Sequence, residues 1–399
     1  MRILVMPSPV ASHLMQMVPL VWAFRTAGHE ALVICRPDLV ETVRSTGIPY
    51  IALGQRYDEL MRRLRPRRRT SYGDEPPWDE LATAWRAAVG EMWRPAATRA
   101  RAWRPDLVLA DPLEFTAPLI AGLVDAPLVQ HRLGVDSWST RGWPHVRRAL
   151  AELCVEAGLS EGLPDPALVV DPCPPSLQAL GAAPAEPIRF IPFNGVAEVP
   201  DWAITPPRGR RICVSLGYQV SAGDELRLVR SIADAVSELR DVEAVVTMGH
   251  EHRERLGRVP ERLRVVPPTP IQSFIHTCDV VVHHGGSGTG LLAAAYGRPQ
   301  LVLPLTPWTA EHGERVAAVS AGLSIGPAEQ QNDPEVIRVA LRELLDDGRY
   351  GAGAQRLAAE MAGMRPLSAT VDRLVAMVRD RSPAVASGTI AATGGIPTT

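Results

Sequence analysis

The stretch Asp279-Val-Val-Val-His283-His284-Gly285-Gly286-Ser287-Gly288-Thr289-Gly290, which runs into the apolar Leu291 to Tyr296, constrains this chain more than any other. A β-branched run, a turn crowded with glycine and a helical run, in that order, form one strand-turn-helix unit. Such units belong to parallel sheets covered by helices. Glycines let the backbone approach a ligand with no Cβ in the way, and the free N–H groups at the helix start then point at an anion. The unit therefore reads as a phosphate site. Gly286 and Gly288 allow the close approach, Ser287 and Thr289 can add hydroxyl donors, and His283 can reach a diphosphate with an imidazole N–H. The alternative is a tight turn that binds nothing. No Gly-Lys-[Ser/Thr] follows, which argues against a P-loop, and the unit sits too late in its half of the chain for a dinucleotide fingerprint.

The same alternation extends over the whole chain. Residues 2 to 6 form a strand, a polar loop runs to His13, and a helix runs from Leu14 to Gly28. Strands follow at Ala31 to Cys35, Tyr50 to Leu53, Leu107 to Ala110 (ending at Asp111) and Leu128 to Gln130 (ending at His131). From Pro184 to Arg211 proline accumulates and periodicity is lost, the signature of a linker. The pattern then repeats from Arg211 onward. With 399 residues, 46% of them hydrophobic, the chain can build two cores. The expected fold is α/β, with two Rossmann-like doubly wound domains, 1–195 and 211–365, joined by a linker at 196–210. An amphipathic helix spans 366–381, and the Ala, Gly, Thr and Pro of 382–399 suit a disordered tail.

Composition excludes several classes of function. A net charge of -2, with no basic block interleaved with aromatics, leaves no footprint for nucleic acid. The cluster Arg62 to Arg69 is followed at once by Asp74 and Glu75 and reads as a solvated loop. Five scattered cysteines without C-x-x-C spacing fit neither a disulfide framework nor a zinc site. No apolar run approaches the eighteen or so residues of a membrane span, so a cytoplasmic protein without a membrane partner is expected. Lysine is absent, and arginine supplies every fixed positive charge.

Residues 263–326, with His283-His-Gly-Gly-Ser-Gly-Thr289, Gly297-Arg-Pro-Gln-Leu-Val-Leu-Pro304 and Glu314-Arg-Val316, resemble the donor half of bacterial GT-B natural-product glycosyltransferases. Ser12-His-Leu14, Met17-Val-Pro-Leu20 and Ala27-Gly-His-Glu30 are similar to the acceptor domain of that family, so the likeness covers nearly the whole chain to about residue 380. It implies two domains facing across a cleft and a last helix crossing back. It further implies inverting transfer of a sugar to an antibiotic aglycone, with no metal or other cofactor beyond the nucleotide-sugar co-substrate. Small-molecule partners and a possible homodimer complete that expectation.

The resemblance assigns proton transfer to His13 and orientation of that histidine to Asp111, roles that an imidazole near neutral pH and a buried carboxylate can fill. A loop histidine capping a helix and a plain N-cap are the alternatives. His29, just past a helix-ending glycine, reads as structural. Asp136 is a candidate second carboxylate at the acceptor, and Ser215 a candidate phosphate-side hydroxyl, with a loop turn the alternative for each. With no lysine and no D-x-D-like cluster, backbone amides, His283 and the helix dipole are left to neutralise the leaving nucleotide.

Two departures from the family pattern stand out. Where many relatives place a base-stacking Trp, this chain has Val265-Val266-Pro267-Pro268-Thr269, so base contact falls to Pro268 and to backbone near Val266. Where relatives often have Asp-Gln against the sugar, it has Trp308-Thr309. An apolar ring in place of a carboxylate suits a sugar lacking hydroxyls, and a dTDP-deoxysugar is the expected donor. For the acceptor, Tyr57, Met61, Tyr72, Trp78, Trp85, Met92, Trp93, Trp138 and Trp143 can line an apolar cleft, although Trp85 and Trp93 fit a core as well. A catalytically silent homologue acting as a binding partner and a lipid-linked sugar transferase of the same fold are the rival readings.

Overall fold

The computed structural model describes residues 1–57, 59–60, 75–136, 141–217 and 222–381. The tail at 382–399 expected to be disordered, Arg62 to Arg69, Met61, Tyr72 and Trp138 lie outside these residues. In chain order the first half comprises β1 (Arg2–Met6), α1 (Ala11–Thr26), β2 (Glu30–Cys35), α2 (Val40–Thr46), β3 (Tyr50–Ala52), α3 (Trp78–Trp103), β4 (Leu107–Ala110), α4 (Thr116–Val124), β5 (Leu128–His131), α5 (Trp143–Glu156), β6 (Leu168–Asp171) and β7 (Glu186–Pro187). The second half comprises α6 (Asp201–Ile204), β8 (Arg210–Ser215), α7 (Ala222–Ser237), β9 (Val242–Thr247), α8 (His250–Leu256), β10 (Leu263–Val266), β11 (Val280–His283), α9 (Ser287–Ala295), β12 (Gln300–Val302), α10 (Pro307–Ala318) and β13 (Gly322–Ser324). Helices α11 (Ala328–Gln331), α12 (Pro334–Asp346), α13 (Gly348–Gly363) and α14 (Leu367–Arg381) follow.

Strands such as Ile3-Leu-Val-Met6 and Val280-Val-Val-His283 are buried along their length because helices cover both faces, the usual condition of a parallel sheet. The first sheet is ordered β3-β2-β1-β4-β5-β6-β7 and the second β10-β9-β8-β11-β12-β13. Among the described residues every strand pair is parallel. In each sheet the order reverses once, between β1 and β4 and between β8 and β11. Open α/β sheets hold ligands at the carboxyl ends of the strands flanking such a reversal. His13 and Asp111 follow β1 and β4, whereas Ser215 and His283 end β8 and β11.

Two segments cross between the halves. Helix α14 buries Val371 and Leu374 against Leu14, Met17, Val18 and Val21 of α1 in the first-sheet core. In the opposite sense, Cys173, Leu177 and Phe190 bury in the core of the second sheet beside Phe274 and Leu291. Within the Pro-rich stretch, Phe190 and Ala203 are buried in that core, anchors which its loss of periodicity concealed.

Candidate active site

The loop after β1 and the loop after β4 converge on one buried carboxylate. Asp111 has a fully buried side chain; Oδ2 accepts the Ser8 backbone N–H at 2.6 Å and Oδ1 accepts that of Leu113 at 2.9 Å. Burial alone would raise its pKa, but the His13 contact and charge and these two N–H donors outweigh burial and hold it below the usual carboxylate range. Helix α4 begins only at Thr116, so Asp111 is not its N-cap. His13 lies in the first turn of α1, whose N-cap is Val10, with 18% of its side chain exposed. Its Nδ1 is 2.7 Å from Ser8 Oγ and 3.6 Å from Asp111 Oδ1. Ser8, which no sequence signal marked, thus contacts the histidine with its hydroxyl and the carboxylate with its amide.

Beside this pair, burial lifts the Glu114 carboxyl to about 7; the Thr116 contact and Arg36 oppose the rise, and the Asp111 charge adds to it. His29 packs against Phe24 and lies 3.3 Å from the N-terminal amine, a structural position.

Asp136 does not line the acceptor cleft as a free carboxylate. It pairs with Arg132 Nε at 2.8 Å, and Arg132 also meets Asp171 at 3.2 Å and the Ala183 carbonyl at 2.6 Å, all around a nearly fully buried guanidinium. A buried cation recruits whatever carboxylates lie near, and one of them is Asp136. Asp136→Asn is therefore expected to lower stability by about 2 kcal/mol in a denaturant titration, the other Arg132 partners remaining.

The aromatic set divides. Trp93 and Met92 are core. Trp85 and Trp143 flank Phe115, with ring centroids 4.9 and 5.7 Å away, and with Leu113, Gln130 and Arg132 they line a cavity of about 140 Å³. Trp78 instead stacks on His145 and donates its indole N–H to Glu75.

The second site is the turn after β11. Gly285 has φ +88°, and a Cβ there would lie 2.3 Å from the Thr309 carbonyl oxygen, so glycine is obligatory. Gly286 is the N-cap of α9, and its carbonyl accepts the Gly290 N–H at 3.0 Å. The amides of Ser287, Gly288 and Thr289 precede it, oriented for an anion.

His283 corrects an expectation. It is wholly buried; its Nδ1 accepts the Gly285 N–H at 3.1 Å, which leaves Nε2–H to donate to Gln300 Oε1 at 2.9 Å. Both nitrogens are occupied, so His283 shapes the turn from beneath rather than reaching a diphosphate. His312 Nε2 meets the same Gln300 oxygen at 3.0 Å. Burial, with the neighbouring His312 and His284, drives the His283 pKa well down and keeps the ring neutral.

The next histidine faces the turn. The His284 ring lies close to where a Cβ on Gly286 or Gly217 would sit, 2.5 and 2.4 Å away, a backbone group of Ser215 bonds it, and its Nδ1 is buried without a partner among the described residues. Burial takes its pKa to about 4. The double His in the sequence marked the place; the structure sets His283 beneath the turn and the His284 ring against Gly286 and Gly217. Ser215 itself ends β8 nearly buried.

The residues expected at the base and the sugar take different places. Val266 is buried and its carbonyl accepts the Met248 N–H at 3.0 Å, because it closes β10 against β9. It is a core residue and that carbonyl is occupied. Pro268 is exposed. Thr309 does not offer its hydroxyl to a sugar: it forms a capping box with Thr306 at the start of α10. Trp308 is half-buried in the same turn.

The two sites meet. A Cβ on Gly134, in the loop after β5, would lie 2.7 Å from Ser287 Oγ, and the Gln16 Nε2 of α1 lies 3.9 Å from the Cβ position of Gly288.

Comparison with known proteins places this geometry. The family descriptions "Erythromycin biosynthesis protein CIII-like" match residues 22–217 (N-terminal domain) and 230–377 (C-terminal domain). An L-demethylnoviosyl transferase of Streptomyces niveus is 35% identical, covering 96% of this chain and 100% of its own. An aclacinomycin-T 2-deoxy-L-fucose transferase of Streptomyces galilaeus is 29% identical over 91% of this chain and 93% of its own. A spinosyn rhamnosyltransferase solved with thymidine diphosphate superposes with a TM-score of 0.84 at 33% identity, covering 94% of this chain and all of its own.

Proposed function

This chain belongs to the erythromycin biosynthesis protein CIII-like family and is a glycosyltransferase, and on that premise we propose that it moves a deoxysugar from dTDP to a hydroxyl of a polyketide-type aglycone with inversion. The carrying observation is that α1, which bears His13, abuts the amide-rich start of α9 through Gln16 and Gly288. The base and the leaving group are thereby held on opposite sides of one cleft. With Nδ1–H directed at Ser8 and Asp111, His13 Nε2 takes the proton of the acceptor hydroxyl. That oxygen bonds to the anomeric carbon as the carbon–oxygen bond to the β-phosphate breaks, and attack from the far side inverts the centre. Charge on the departing dTDP falls on the Ser287, Gly288 and Thr289 amides, so no resident metal or other cofactor is required of this mechanism.

The Trp308 ring and the capped Thr309 hydroxyl favour a sugar with few hydroxyls, as in the 2-deoxy-L-fucose transferase. The Trp85, Phe115 and Trp143 cavity suits an apolar ring of the acceptor. The test is turnover of a dTDP-deoxysugar beside UDP-glucose, with and without EDTA, over a panel of polyketide aglycones. The deoxysugar should be preferred by about a hundredfold in kcat/KM and EDTA should change nothing. A preference for UDP-glucose removes the donor assignment, and a loss of activity in EDTA removes the metal-free mechanism.

A further inference from the structure

We propose that Gln16 is a donor-binding residue supplied across the cleft by the acceptor-side helix: its carboxamide N–H donates to the donor's β-phosphate and its carbonyl oxygen accepts from a donor sugar hydroxyl. The inference rests on the donor reading above and adds a residue to that site. Gln16 is 8% exposed on a stretch of α1 whose buried neighbours are Leu14, Met17, Val18 and Leu20. Its Oε1 is buried with no hydrogen-bond partner among the described residues. A carboxamide desolvated among apolar side chains is unfavourable unless something bonds it, and an apolar residue would fill the same place. Its Nε2 lies 3.9 Å from the Cβ position of Gly288, at the helix start whose leading amides await an anion. The absent partner is therefore one that arrives with the ligand.

A carboxamide suits that partner. It offers N–H to phosphate and C=O to hydroxyl at once, and it carries no charge that would compete with His13. His13 and Gln16 are three residues apart on one helix and share a face. Binding of a diphosphate at α9 thus sets the catalytic base in register with the bond that breaks.

The test is calorimetry with dTDP and with dTMP on the full chain and on Gln16→Met, Gln16→Asn and Gln16→Glu, with thermal melts alongside. Gln16→Met keeps the length and apolar stem and should weaken dTDP about tenfold. Gln16→Glu should weaken it further by setting a carboxylate against the phosphates. Neither should change dTMP affinity by more than about twofold, since dTMP has no β-phosphate. Gln16→Asn withdraws the carboxamide by one methylene and should also lose affinity, which gives a reading if the methionine variant does not fold. Unchanged dTDP affinity in the folded variants, or equal losses for dTDP and dTMP, overturns the proposal. A parent chain that binds no dTDP overturns the donor reading, and this inference with it.

Discussion

His13→Ala should lower turnover about a thousandfold while dTDP affinity stays within about twofold of the parent. The split follows from the geometry. The His13 imidazole contacts Ser8 and the Asp111 side, and none of its hydrogen bonds reach the donor turn. Removing it deletes proton transfer and leaves the α9 amides as they were. The Asp111 carboxyl is held below its ordinary range, so it remains ionised through the pH range in which an imidazole titrates. The rate should come from dTDP release with the best acceptor of the panel, and the affinity from calorimetry. A variant that keeps more than about a tenth of the parent rate would remove His13 from the base role.

The second large effect is structural. Gly285→Val places a β-branched residue at φ +88° and drives its Cβ onto the Thr309 carbonyl oxygen, 2.3 Å away. Both the strain and the clash act on the turn that His283 holds through the Gly285 N–H. Stability should fall by about 3 kcal/mol and dTDP binding should be lost. Gly351→Ala is the control, because a Cβ there meets nothing within 4 Å. It lies inside α13 and should be neutral or slightly stabilising. Melting curves and dTDP titrations of both variants decide the matter. A Gly285→Val chain that melts and binds like the control would mean that this turn is not the anion site.

Much of the site was legible because the chemistry sits beside the features that define the fold. Val280 to His283 is β-branched and apolar, the glycines follow at once, and a helix starts, so the donor turn and the topology share one signal. The family resemblance suggested pairing His13 with Asp111, and the structure sets both after strands that flank the reversal in the first sheet. Roles that depend on rotation about a side-chain bond were not legible. His283 and His284 are neighbours in sequence, yet one is locked beneath the turn by Gln300 and the other lies above it. Asp136 resembles a cleft carboxylate until Arg132 is placed beside it. Thr309 resembles a sugar ligand until Thr306 is seen to use its hydroxyl.

Hydrophobic period and glycine placement act over a few residues, so the alternation of strands and helices in each half and the family resemblance were legible in the sequence alone. Side-chain hydrogen bonds are chosen by whatever packs nearest, often from far along the chain. Ser8 on Asp111, Gln16 at Gly288 and Gly134 against Ser287 join positions about 100 to 270 residues apart in the chain. Only the tertiary structure could decide those, because the free energy of burying a polar atom depends on which partner reaches it.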